Sequence, residues 1–123
     1  VTPGMGILVE AVFTFLLVWT VFGTMVDKKA ASGFGALAVG FIIAAGVMLS
    51  MNLTGGALNP ARSFGPALIS SHWDNHYVYW VGPLVGGLVA GFIYHFSFLK
   101  KSYFCFKAVS RCARDLNSGA LKI

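Results

Sequence analysis

Gly55-Gly56-Ala57-Leu58-Asn59-Pro60-Ala61-Arg62 is the stretch on which the reading of this chain turns. Asn59 suits a helix N-cap and Pro60 the first turn, and Ala61, Phe64, Ala67 and Leu68 then supply one apolar face. This spacing predicts a short helix over residues 60–70, rising only about 16 Å, half a bilayer. The irregular Thr54–Leu58 backbone before it is tolerated at membrane depth only where protein buries it or water lines it. Two adjacent glycines permit the dihedrals such a dip requires. A half-helix of this kind would point its positive dipole end and the Asn59 amide at whatever passes, with Arg62 a cation close by. The competing reading is a surface amphipathic helix with an ordinary cap and a snorkelling Arg62.

Working outward, the chain is 57% hydrophobic and only 11% charged, against about 25% charged in an ordinary soluble domain. Its charges gather between long apolar runs. Residues 6–26 carry Glu10 alone, residues 34–53 carry no charge, and residues 77–98 have only His95 ionisable. At about 1.5 Å per residue each run reaches the ~30 Å of a bilayer core, so three transmembrane helices are expected. Gly82/Gly86, Gly87/Gly91 and Ala36/Gly40/Ala44 form small-xxx-small series, which let helix backbones approach closely in lipid. Trp73, Tyr77, Tyr79 and Trp80 read as an aromatic belt at the membrane boundary. The start at Val1 shows no basic n-region or cleavage site, so the first run is read as a mature span, and the missing Met suggests a piece of a longer polypeptide.

Lys28 and Lys29 lie in the first loop, and Lys100, Lys101, Lys107, Arg111, Arg114 and Lys122 face only Asp115 in the tail. The positive-inside rule therefore places the first loop and the C-terminus in the cytoplasm, in a plasma or an intracellular membrane. The organisation expected is a bundle over 1–98, with spans 6–26, 34–53 and 77–98 and a re-entrant segment 54–70, then a basic cytoplasmic tail over 99–123. Beside a spanning helix the tail's charge points to anionic membrane lipid rather than nucleic acid. Cys105 and Cys112, in a reducing compartment, are expected to be free thiols, with palmitoylation the alternative.

The block from Gly55 through Ala67 closely resembles the second NPA box of the aquaporins, the major intrinsic proteins. His76-Tyr77-Val78-Tyr79-Trp80-Val81-Gly82-Pro83 is similar to the start of the family's last spanning helix, and Glu10 falls where the fourth carries a buried glutamate. The resemblance covers roughly residues 4–96. It implies an all-α membrane protein, half of an aquaporin-like inverted-repeat bundle, with three transmembrane helices plus one re-entrant half-helix. The first-repeat half, with its own NPA box, would come from the parent polypeptide or from a partner. The family also implies a homotetramer.

What the resemblance implies for function is a channel passing water in single file. Asn59 would donate hydrogen bonds to water while Pro60 and Ala61 pack against the opposing loop, and opposed half-helix dipoles would bar protons and cations. Arg62 matches the arginine of the family's constriction, and Val47 and Gly56 fall at two further filter positions. Val47 stands where water-selective members commonly carry His, and Gly56 brings no side chain. A wider, more apolar filter follows, with ammonia, hydrogen peroxide or urea joining water as solutes. Ser63, Ala67 and Tyr79-Trp80 depart from the glycerol-facilitator pattern. Glu10, costly inside lipid, would brace loop backbone donors as in the family; a proton relay is the other reading.

No nucleophile–base pair, metal cluster or phosphate loop is visible, so neither an enzyme nor a cofactor is expected. His72, His76 and His95 lack metal-ligand spacing and read as interface residues. Asn52-Leu53-Thr54 fits a glycosylation sequon but abuts the membrane, which argues against its use. The rival from another class is a truncated half-channel, an interaction or regulatory membrane protein without conduction of its own.

Overall fold

The computed structural model of the chain describes residues 1–27, 30 and 33–99. The expectations that rest on Lys28, Lys29 and the tail from 100 onward, with Cys105 and Cys112, lie outside the described residues. The chain divides into two units, Val1–Phe92 and Ile93–Ile123. The described residues form four α-helices: α1 (Pro3–Val21), α2 (Gly35–Ser50), α3 (Pro60–Ser70) and α4 (Val78–Tyr94). A π-helical turn, Phe22–Val26, prolongs α1, and another, His95–Leu99, follows α4. In the second unit Tyr94 stacks on Phe98 with centroids 5.0 Å apart.

The three apolar runs form helices of unequal length. Pro3–Val26, at 24 residues, and Val78–Phe98, at 21, are long and apolar enough to cross a membrane. The apolar run 34–53, expected as a third such helix, holds a helix of only 16 residues, about 24 Å long. Its end has a physical cause. The N–H groups of Leu53, Thr54 and Gly55 all converge on the Ser50 carbonyl, at 2.9, 2.9 and 3.2 Å. Successive i−3, i−4 and i−5 bonds to one acceptor cannot propagate a helix, and Gly55 then leaves at φ +80°.

Packing around the glycines gives the topology. Gly35 of α2 lies against Met25 and the Thr24 carbonyl, and Gly46 against Phe13 and Leu58. The α2 numbers rise as the α1 numbers fall, so the two are antiparallel. Along α4, Gly82 meets Ile7, Glu10 and Ala11, Gly87 meets Thr14 and Val18, and Gly91 meets Phe22. Both sets of numbers rise together, so α4 runs parallel to α1. The end of α2 and the start of α4 therefore lie at one end of the bundle, and the connection between them, α3 included, leaves and returns on the same side.

Polarity is distributed in reverse of a soluble domain. Glu10 and Ser50 are fully buried and Thr14 nearly so, while Leu37, Phe41 and Met48 are 56%, 67% and 77% exposed. An apolar surface of that extent belongs against lipid or another protein.

A β-carbon on Gly86 would run into the Ala11 carbonyl oxygen, and one on Gly82 would come within 2.7 Å of the Glu10 Cβ. Gly40 has open space. Gly86→Leu is expected to lower the thermal midpoint by the equivalent of about 3 kcal/mol or more, whereas Gly40→Leu leaves it nearly unchanged. Fluorescence-detected thermal unfolding of the detergent-purified chain distinguishes the two, and equal midpoints would contradict the crossing described.

Candidate functional site: a half-helix suspended from a buried glutamate

The Thr54–Leu58 loop has no regular secondary structure, so its backbone groups need partners from elsewhere. Three of its residues, Gly55, Gly56 and Leu58, take positive φ of 80°, 63° and 54°. Leu58 is the one that is not glycine, and this conformation costs it free energy. It is held from both sides. Its N–H donates to Glu10 Oε2 at 2.7 Å, and its carbonyl accepts from the Thr14 hydroxyl at 3.3 Å. Glu10 Oε1 takes the Thr54 hydroxyl at 2.6 Å and the Ala57 N–H at 3.1 Å. The Thr54 oxygen in turn accepts the Gly56 N–H at 3.4 Å. Hydrogen bonds to a carboxylate are each worth about 1.5–3 kcal/mol, enough to offset both the burial of Glu10 and the strain at Leu58.

Every N–H of this loop thus has an acceptor, on Glu10 of α1, Ser50 of α2 or Thr54 of the loop itself. Among the described residues no donor reaches the carbonyls of Gly55, Gly56 or Ala57. The loop therefore presents a hydrogen-bonded inner edge and an outer edge of free acceptors.

α3 begins where the spacing predicts, and Asn59, in extended backbone, caps it by accepting the Ala61 N–H at Oδ1, 2.9 Å away. That bond orients the amide, because a backbone donor needs the oxygen, and it leaves Nδ2 with both its protons. Pro60 occupies the first turn. Arg62 follows, exposed, and its guanidinium has no hydrogen bond or ion pair among the described residues. α3 stops at Ser71 in left-handed conformation.

Gly56 and Val47 come together. A β-carbon on Gly56 would sit 2.9 Å from the Val47 Cα and from the Ser50 hydroxyl, so only glycine lets the loop lie this close to α2. A cavity of about 370 Å³ opens beside α3, with Arg62, Thr54, Gly55, Ala57, His76 and Tyr79 in its wall. Asn59, Val47 and Gly56 are not part of that wall.

Three participants escaped the sequence reading: Thr14, Thr54 and Tyr79. Thr14 lies one helical turn after Glu10 on the same face, a signal that was available. Tyr79 carried no such signal. Trp73, Tyr77 and Trp80 of the expected belt are exposed, but Tyr79 turns inward and its hydroxyl donates to the Thr54 carbonyl at 2.8 Å. His72 pairs with Asp74 at the surface, 3.5 Å apart. His76 packs edge-on to Trp73, with centroids 5.0 Å apart, and its Nε2 is buried without a partner among the described residues. No three His, Cys, Asp or Glu side chains among the described residues are placed to hold a metal ion.

An all-helical membrane protein whose loop and half-helix hang from a carboxyl buried in the first helix is the class this geometry defines. The chain belongs to the major intrinsic protein family, whose sequence pattern it matches over residues 1–94. It is 53% identical over 91 residues to aquaporin TIP4-1 of Arabidopsis thaliana, covering 72% of this chain and 36% of that protein. It is 48% identical over 98 residues to aquaporin-4 of Rattus norvegicus, covering 79% of this chain and 30% of that one. Aquaporin TIP4-4 of Zea mays is 50% identical over 90 residues, covering 72% and 36%. The chain thus spans about a third of the length of these relatives.

Glu10→Gln keeps the shape of the acceptor but substitutes an NH₂ for one oxygen. That group faces donors, which leaves at least one buried N–H or hydroxyl unpaired, at a cost of about 1–3 kcal/mol. The expected result is a lower thermal midpoint for the purified chain together with faster hydrogen exchange at the Ala57 or Leu58 amide. Unchanged exchange at both would contradict the role given to Glu10.

Proposed function

We propose that this chain forms the second-repeat half of a channel that passively conducts water and small neutral solutes while excluding protons and ions. The observation carrying the proposal is the polarised loop. With its N–H groups drawn toward Glu10, Thr54 and Ser50, it leaves a row of carbonyls that can accept from a file of water molecules. The Asn59 amide and the Arg62 guanidinium continue that row as donors. Depth supports the same reading. Thr14, which holds the Leu58 carbonyl, lies about 16 Å along α1 from Pro3, so the loop reaches roughly the middle of the helix from one end.

Asn59 would donate to passing water, and Pro60 and Ala61 would pack on the corresponding loop of a first-repeat half. Arg62, in no ion pair among the described residues, would repel hydronium and other cations and offer donors to a neutral solute. Val47 and Gly56, which lie against each other, would make the filter wider and more apolar, which would suit ammonia, hydrogen peroxide or urea beside water. The assembly proposed is a homotetramer with the C-terminus in the cytoplasm.

Osmotic swelling of vesicles carrying a full-length polypeptide that contains this chain tests the reading. Permeability above that of empty vesicles is expected for water and for at least one neutral solute, and neither rising would sink it. Replacing Arg62→Val removes a unit charge worth about 1.7 kcal/mol at ~10 Å and an effective dielectric of ~20. Cation or proton leak should rise roughly tenfold or more in flux assays; unchanged exclusion would remove Arg62 from the barrier.

A further inference from the structure

One peptide group in the loop, Thr54–Gly55, takes a hydrogen bond from a side chain of α4. The N–H groups of Ala57 and Leu58 bond to Glu10, and those of Leu53 and Thr54 bond to Ser50 at 2.9 Å. The Gly56 N–H reaches the Thr54 hydroxyl at 3.4 Å, and the N–H of the Thr54–Gly55 peptide makes a long bond, 3.2 Å, to the already shared Ser50 carbonyl. Its other end, the Thr54 carbonyl, accepts from the Tyr79 hydroxyl at 2.8 Å. A peptide flips by rotating ψ of one residue against φ of the next. Here the next residue is Gly55, at φ +80°, and glycine populates either sign of φ at little cost. Thr54 can stay in place during such a flip, because its own N–H and hydroxyl are anchored to Ser50 and Glu10.

We infer that Tyr79 is a specificity-determining positioning residue, whose hydroxyl selects one of two orientations of the Thr54–Gly55 peptide at the entrance to the carbonyl row. The inference rests on the channel reading above. In the orientation held by Tyr79, the Thr54 carbonyl is engaged and the row offered to solute begins at Gly55. Without the hydroxyl the peptide samples both orientations. The Thr54 carbonyl or the Gly55 N–H then turns toward the cavity shared with Arg62. A second donor beside the Arg62 guanidinium, or an extra acceptor facing it, changes what the site accepts from a solute. Water, with two donors and two acceptor lone pairs, tolerates either arrangement. Urea, a planar solute with a carbonyl at one end, does not.

Tyr79→Phe removes one oxygen and retains the ring that packs on His76, so the fold is expected to persist. In the full-length polypeptide the variant should change the urea-to-water permeability ratio by about threefold or more, the scale of one net hydrogen bond. Gly55 amide exchange, read by ¹⁵N-glycine NMR or mass spectrometry, should accelerate by a similar factor while Ala57 and Leu58 keep their protection. A general loosening would instead expose all three amides. Unchanged Gly55 exchange, or acceleration at all three, overturns the positioning role. An unchanged permeability ratio beside accelerated Gly55 exchange overturns the specificity role. A parent channel that conducts nothing before substitution defeats the channel reading, and the specificity role with it, while the exchange result still decides whether Tyr79 orients the peptide.

Discussion

An irregular backbone segment packed among apolar helices has donors that no regular structure will satisfy. The Glu10 carboxyl answers that constraint, taking the Thr54 hydroxyl and the N–H groups of Ala57 and Leu58 on its two oxygens. No neutral side chain offers as many strong acceptor sites in so small a volume. Burying such a group alone would cost several kcal/mol, and leaving the loop donors unpaired would cost about 1–3 kcal/mol each. The two penalties offset one another only when loop and glutamate meet. That mutual dependence fixes where Leu58 lies, hence where Asn59 caps α3, and hence the position of Arg62.

The glycines of α4 belong to the same construction. Gly82 lies against the Glu10 Cβ, and Gly86 against the backbone of Ala11. A bulkier stripe would push α4 away from α1, admit water or lipid to Glu10, and weaken its hold on the loop. Close backbone approach is what seals the carboxyl in, and it also brings Tyr79 within reach of the Thr54 carbonyl. On the other side, Gly46 makes room for Leu58 and Gly56 lets the loop settle on Val47 and Ser50. Polar groups occupy the centre and apolar side chains the surface, as expected where the solvent is hydrocarbon and each internal polar group needs an internal partner.

This division explains the loop's two edges. One edge is consumed by structure, since all its donors are committed to Glu10, Thr54 and Ser50. The other is a set of acceptors with nothing in the described chain to bond. A pathway for a hydrogen-bonding solute requires such a surface: partners fixed in space, and not already satisfied.

Much of this was legible along the chain. The bounds of α3 and its Asn59 cap followed from one capping residue, one proline and the spacing of Ala61, Phe64, Ala67 and Leu68. The outer spans followed from apolar runs, and the tight packing of α4 from Gly82 and Gly86. These are local properties, set within a turn or two by propensity, capping and periodicity. The early end of α2 was not legible, because apolar composition continues through Leu53 while the hydrogen bonding turns in on the Ser50 carbonyl. Nor were the partners of Glu10, Thr14 and Tyr79, which lie 25 to 48 residues away along the chain. Which donor meets which acceptor across such distances depends on how closely helices cross and in what register, and only the folded bundle decides that. The sequence by itself determined a membrane-buried helix pattern and a capped half-helix carrying Asn59 and Arg62. The tertiary structure alone decided that the loop before it would spend its donors inward and keep its carbonyls free.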